Sequence, residues 1–185
     1  LMAEPLEHFA EVAHRWNDVL AKLGRCVCVW LPVWGAFDAV RTPTPDEWQN
    51  MALVSIISGS RGLLNWMELP YTVPLIKRIR AVNHQLQTVL PVIVDEATRT
   101  QSGAHGSIHY ALWTRGDEAY LMVANVSSSA SAELSLDLAG LAGMTLNQSG
   151  ESFAADIEFA LTNGGFHGTI PPRKSGIFRF VREAP

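Results

Sequence analysis

Glu68 is the carboxylate most favourably placed for chemistry. It directly follows the apolar segment Leu63–Met67, and in extended backbone it shares a face with Leu64 and Trp66. A carboxyl beside an indole is partly desolvated, which raises its pKa and suits a general acid. On a rim it would instead cap a loop or pair with Arg41 or Arg61. Asp38 is the second carboxylate to weigh, in a loop where Asp also serves turns. Trp34 and Trp66 each offer a flat apolar plane and one N–H, fit either to hold a ring-shaped ligand or to line a core. Trp16, Trp30 and Trp48 fall in patterns that read as core. Arg41 can orient a hydroxyl or a carboxylate, or close a loop salt bridge.

Other reactive types are less promising. Cys26 and Cys28 sit two apart in an apolar run, too strained to join in extended backbone, and read as small buried hydrophobes. His105 and His109 are four apart in Gly/Ser-containing and strand-like sequence, where helical i,i+4 geometry does not apply. No histidine stands near the cysteines at metal-ligand spacing. Nothing calls for a cofactor or a metal. Asn125-Val126-Ser127 and Asn147-Gln148-Ser149 match the glycosylation pattern, which is frequent by chance and receives no role.

The whole chain sets limits on what such residues can do. Its 185 residues carry 14 basic and 18 acidic side chains, a net charge of −4. With no Lys/Arg-rich run, that balance argues against nucleic acid or an anionic membrane as partner. At 48 % hydrophobic and 17 % charged there is ample apolar surface for packed cores. No apolar run approaches the ~18 residues of a membrane helix. Leu1 is no initiator and 1–23 lacks the layout of a signal peptide, so the chain reads as the C-terminal part of a longer protein.

The first half alternates helix and strand. Leu6, Phe9, Ala13, Trp16, Leu20 and Leu23 form one helical stripe that Gly24 can end. Cys26–Leu31 reads as a buried parallel strand. Thr44-Pro45-Asp46-Glu47 opens a helix with a cap, a first-turn proline and a capping box, running to about Ser58. Leu63–Met67 is the next strand. Pro74 opens a helix with Leu75, Ile79, Val82, Leu86 and Leu90 inward, Lys77, Arg78, Arg80 and Gln87 largely outward, and Pro91 as its stop. Two parallel strands joined by a helix make a βαβ unit, and two strands alone bury too little, so upstream strands are expected to complete the sheet.

Composition changes near Asp95. Thr98–Ser107 reads as a linker. Short strands follow at Ile108–Thr114, Ala119–Asn125, Ala132–Leu138, Ser152–Leu161 and Gly176–Val181, with turns at Gly116-Asp117, Asn163-Gly164-Gly165 and Pro171-Pro172. Such spacing predicts an antiparallel β-sandwich. The fold class is therefore α/β over 1–94 and all-β over 95–185.

Three stretches resemble the C-terminal end of a glycoside-hydrolase-type (β/α)8 barrel with its appended β-sandwich. The first is Trp30-Leu31-Pro32-Val33-Trp34-Gly35-Ala36-Phe37 with Arg41-Thr42-Pro43-Thr44-Pro45-Asp46-Glu47-Trp48. The second, Gly59-Ser60-Arg61-Gly62-Leu63-Leu64-Asn65-Trp66, is similar to the entry into the last barrel strand. The third, Ala111-Leu112-Trp113-Thr114-Arg115-Gly116-Asp117 with Tyr120-Leu121-Met122-Val123-Ala124-Asn125, is similar to the first sandwich hairpin. The resemblance implies that Cys26–Leu31 and Leu63–Met67 are barrel strands seven and eight. The loops Pro32–Thr44 and Met67–Val73 would then face the active site, since barrel sites lie at the C-terminal strand ends.

On that footing Glu68 is the candidate catalytic residue. Trp34, Trp66, Asp38 and Arg41 are candidate binding residues for an oligo- or polysaccharide substrate, sugars presenting apolar faces to aromatic planes. Glycoside hydrolysis needs two carboxyl groups. The usual nucleophile at the end of strand seven is missing here, where the chain reads Pro32-Val33-Trp34-Gly35. The main carboxylates are thus expected upstream, in the N-terminal barrel half that this chain needs as partner, and the chain by itself is expected to be inactive. A non-catalytic carbohydrate binder on a degenerate barrel is the alternative. An unrelated open α/β sheet is disfavoured, because no phosphate-binding glycine motif follows either strand. The sandwich is expected to be structural.

Overall fold

In the computed structural model the described residues are 6–23, 28–32, 42–66, 72–95, 97–147 and 157–182. Helix α1 (Leu6–Lys22) leads to strand β1 (Cys28–Pro32), helix α2 (Pro45–Ile57) and strand β2 (Gly62–Trp66). The two strands pair in parallel, from Cys28 opposite Gly62 to Pro32 opposite Trp66. At Gly62 a Cβ would lie 2.7 Å from Cys28 Sγ, so any larger residue there would have to turn the Cys28 side chain aside. Cys28 is exposed and free, which corrects its reading as a buried hydrophobe. Cys26 lies outside the described residues.

Helix α2 starts as its sequence predicts. Thr44 Oγ1 accepts the Glu47 N–H at 3.2 Å, and Glu47 Oε2 accepts the Thr44 N–H at 2.9 Å. Nearly every residue of α2 is buried, because the helix is apolar on all sides and packed on two. Trp48, Met51 and Ala52 meet Leu31, Leu75 and Val82. Leu53, Val54, Ile56 and Ile57 belong to a second core that includes the large sheet described below.

Helix α3 (Val73–Ile93) is capped by Thr72 and buries Leu75, Val82, Val89 and Val92. Pro91 does not stop it. A proline this near the end forfeits one hydrogen bond of the last turns, and the flanking Val89 and Val92 hold the turn in the core. Val89 takes the inward place expected of Leu90, which is exposed. Helix α1 also departs from its expected stripe, by one residue in the opposite direction. Its buried line is Ala10, Ala13 and Asn17, while Trp16 is 58 % exposed and Leu23 66 %, against the expectation that both lie in the core. Asn17 is held inward by bonds from Nδ2 to the Ala13 carbonyl (2.9 Å) and Ser60 Oγ (3.1 Å). Trp48 is fully buried as expected. The side chain of Trp30 lies outside the described residues.

The expected linker is a strand. β3 (Arg99–His105) pairs antiparallel with β4 (Ile108–Arg115), which pairs with β5 (Glu118–Asn125). The sheet continues through β10 (Ser175–Arg182) to β7 (Leu146–Asn147), in the order β3-β4-β5-β10-β7. A second antiparallel sheet has β6 (Ala132–Asp137), β9 (Gly165–Ile170) and β8 (Glu158–Thr162) in the order β6-β9-β8. A one-and-a-half-turn helix, α4 (Leu138–Ala142), follows β6. The β8–β9 turn has Asn163 and Gly164 both at positive φ, 52° and 76°, as a tight hairpin of the primed type demands.

Alternation gives the large sheet two covered faces. Leu112, Leu121, Val123, Phe178 and Phe180 share a core with Leu134, Leu136, Phe166 and Ile170 of the small sheet. Phe159, Phe166 and Phe178 meet ring to ring at its centre, with centroids 4.7–5.5 Å apart. On the other face Ala111, Trp113, Tyr120, Met122 and Ile177 pack against α2 and α3. No helix among the described residues is long and apolar enough to cross a membrane.

Candidate functional site

Parallel pairing of β1 and β2 puts Pro32 and Trp66 side by side at one end of the ribbon. Residues 33–43 leave that end to reach Thr44 at the start of α2, and residues 67–71 leave it to reach Thr72 at the start of α3. The two loops that carry the sequence candidates therefore spring from neighbouring points. Trp34, Asp38, Arg41 and Glu68 lie outside the described residues, as does the side chain of Trp66, whose backbone closes β2. The described backbone places the starting points of these segments, Pro32 and Trp66, side by side.

The helices into which these segments lead are tied together by a knot of charges that sequence reasoning missed. Asp46, in the first turn of α2, takes Arg78 of α3 (Oδ1 to Nη2, 3.2 Å) and Lys174 before β10 (Oδ2 to Nζ, 2.8 Å). Glu47 takes Arg173 at 3.2 Å, and Gln49 accepts from Arg78 at 2.8 Å while donating to the Ser175 carbonyl at 2.8 Å. Asn50, fully buried, donates to the carbonyls of Asn125 (2.9 Å) and Lys174 (3.3 Å). The first turn of α2, the second turn of α3 and the turn into β10 are thus joined behind the loop ends. Acidic residues there also suit the positive end of the α2 dipole.

The sequence marked Asp46 and Glu47 only as helix-start signals and Arg78 as outward-facing. Their partners are ~30 to ~130 positions away, and only a proline-punctuated cap followed by unexplained Gln49 and Asn50 on an apolar helix hinted at them. These groups hold the first turn of α2 and the second turn of α3 against the turn before β10.

Two clefts lie elsewhere. One of about 250 Å³ sits at the opposite end of α2, lined by Ile56, Ser58, Arg61, Thr100, Ser102 and Trp113 among others. Another of about 380 Å³ crosses the outer face of the small sheet, where Ser135 Oγ and His167 Nδ1 are 3.0 Å apart, with Glu133 and Glu158 flanking Thr169 along the strands. Among the described residues no three His, Cys, Asp or Glu side chains gather closely enough to hold a metal ion.

No family model and no curated protein sequence matches the chain. Solved structures do. A GH27 β-L-arabinopyranosidase from Geobacillus stearothermophilus aligns over 97 % of this chain with a TM-score of 0.65 and 15 % identity. An α-amylase from Anoxybacillus aligns over 92 % (TM-score 0.58, 12 % identity), and a family 30 subfamily 8 xylanase from Clostridium acetobutylicum over 89 % (TM-score 0.56, 9 % identity). This chain spans 42 %, 41 % and 44 % of those proteins respectively, less than half of each. At such identities the likeness speaks for architecture, and the architecture is that of part of a glycoside hydrolase.

Proposed function

We propose that this chain is the C-terminal portion of a carbohydrate-active barrel enzyme, a glycoside hydrolase, in which it forms one wall of the sugar groove. On this reading β1 and β2 are the last two strands of a (β/α)8 barrel, and the sheets beyond residue 95 are its appended β-sandwich. One observation carries the reading. β1 and β2 lie parallel in one sheet, with a buried helix between them and both candidate loops at their C-terminal ends, where barrels bear their sites. The neighbours of like fold, an arabinopyranosidase, an amylase and a xylanase, all act on sugar linkages.

Each candidate then has a role. Glu68 acts as general acid or sugar-hydroxyl acceptor, Trp34 and Trp66 stack on sugar faces, and Asp38 and Arg41 hydrogen-bond hydroxyls. The remaining catalytic carboxylates come from the rest of the barrel. Trp16, Val19 and Leu23 on the outside of α1 are exposed apolar side chains suited to meet it.

Assay of the purified chain and of its full-length parent on aryl-glycosides tests this. The expected result is turnover by the parent and none by the chain. Glu68→Gln in the parent should lower kcat at least ~100-fold if Glu68 transfers the proton. Turnover by the chain alone, abolished by Glu68→Gln, would overturn the assignment of the chemistry to upstream strands. One sequence feature favours a second reading, a non-catalytic sugar binder: the absence of a carboxylate in Pro32-Val33-Trp34-Gly35. A parent that binds oligosaccharide without hydrolysing it would decide for that reading.

A further inference from the structure

His14 on α1 and His109 on β4 stand 95 residues apart in sequence, yet Nε2 of the first lies 2.9 Å from Nδ1 of the second. The rings stack, with centroids 5.0 Å apart and planes 25° from parallel. Both side chains are half-buried. Otherwise α1 packs chiefly against α2, with Ala10 in the core shared with the large sheet, Leu6 and Phe9 reaching both that core and the one around Trp48, and Asn17 bound to Ser60 at the α2–β2 turn.

A neutral imidazole has one N–H and one lone pair, so two neutral rings make one bond, one donating and the other accepting. A first proton preserves that bond, because an imidazolium still donates to a neutral ring. A second turns both facing nitrogens into donors and sets like charges together in a half-buried place. We propose that the His14–His109 pair is an acid-operated latch: it holds α1 against β4 and releases α1 once both rings are charged, while the two antiparallel sheets stay folded.

The surroundings favour release. Burial lowers His14 from the ordinary histidine value, against the field of Asp18 one turn along α1. Burial first, and the charge of His14 second, push His109 down to about 4. Across the ladder His109 faces Ala104 on β3 and Ala124 on β5, which do not titrate, and His105 belongs to the opposite face of the sheet. Leu53 and Val54 of α2 and Val89 and Val92 of α3 contribute apolar side chains to this core, and Glu11 and Arg15 beside His14 are exposed. The folded state thus binds fewer protons than the unfolded chain below pH 6.5. The contribution of the latch is complete above that pH, declines as pH falls and is gone below about 4. The two proton steps belong to the pair.

Hydrogen exchange read by mass spectrometry on the intact protein tests this, comparing α1 with β5 at pH 7.5 and 4.5 after correction for intrinsic rates. Protection of α1 relative to β5 should fall at least ~10-fold, the equivalent of one pKa unit. In His109→Gln, which keeps a hydrogen-bonding group without titrating and leaves only the buried His14 to take a proton, the fall in α1 protection between the two pH values should be much smaller than in the wild type. Undiminished protection of wild-type α1 at pH 4.5 overturns the proposal. So does an acid-induced loss that persists in full in both His14→Gln and His109→Gln. Should the variants not fold, NMR titration of the wild-type imidazole C–H signals decides. Two coupled steps with the lower below pH 5 support the latch; independent titrations near 6.5 overturn it.

Discussion

Asn125 is fully buried and uses its whole hydrogen-bonding capacity. Its Nδ2 donates to the carbonyls of Ala130 and Ile170, both at 2.9 Å, and its Oδ1 accepts from Ser107 Oγ at 2.8 Å and the Ser127 N–H at 3.0 Å. Its carbonyl receives Asn50 and its N–H reaches the Lys174 carbonyl. One residue therefore ties the end of β5 to the β3–β4 turn, the end of β9, the turn before β10 and α2. A buried side chain so employed is closed to glycan attachment in the folded protein, which accounts for the idle Asn125-Val126-Ser127 match. Asn125→Ala strands several buried partners and should cost about 3 kcal/mol or more. That corresponds to a fall in Tm of about 6–12 °C for a chain of this size, measurable by differential scanning calorimetry. In the sequence Asn125 looked like an ordinary strand end, because none of its distant partners leaves a local trace.

Features made by neighbours in the chain were legible at the scale of elements, and features made by distant packing were not. The Thr44 cap, the Asn163-Gly164 turn and the two parallel strands follow from short-range rules. β3 did not, because an edge strand of small polar residues carries no alternation; it is held by its ladder to β4, with Gly103 leaving room for the Tyr110 hydroxyl 2.7 Å from where a Cβ would be. The inward stripes of α1 and α3 hold in part: Ala13, Leu75 and Val82 are buried and Leu6, Phe9, Ile79 and Leu86 pack on the cores, whereas Trp16, Leu23 and Leu90 are exposed. Leu-rich stripes at both i+3 and i+4 fit the period, and only the tertiary contacts of Asn17 and Val89 choose between them. For the site, the loops and their common end were readable, whereas the charge knot behind them was not. Thr44→Ala removes the cap of a helix on which two cores depend and should cost about 1 kcal/mol in urea unfolding, with an unchanged m-value.

At the scale of the molecule the two halves read from composition share a core. The helices of the first half cover Trp113, Tyr120 and Met122 of the second, and α2 is buried between them. Separate melting of the halves would expose that face to water, a cost of roughly 25 cal/mol for each Å² uncovered. The described structure should unfold in a single transition, with far-UV circular dichroism and tryptophan fluorescence superimposing. Two resolved transitions would contradict a shared core.

Strands β1 and β2 form a two-stranded ribbon. Among the described residues each of its strands pairs only with the other. Along both outer margins, then, backbone donors and acceptors stand ready for a further strand. If nothing lies alongside, a second molecule can dock there. Purified in isolation and concentrated, the polypeptide is thereby inclined towards sticky, edge-joined assemblies, and its handling in the laboratory will depend on whether those margins are occupied.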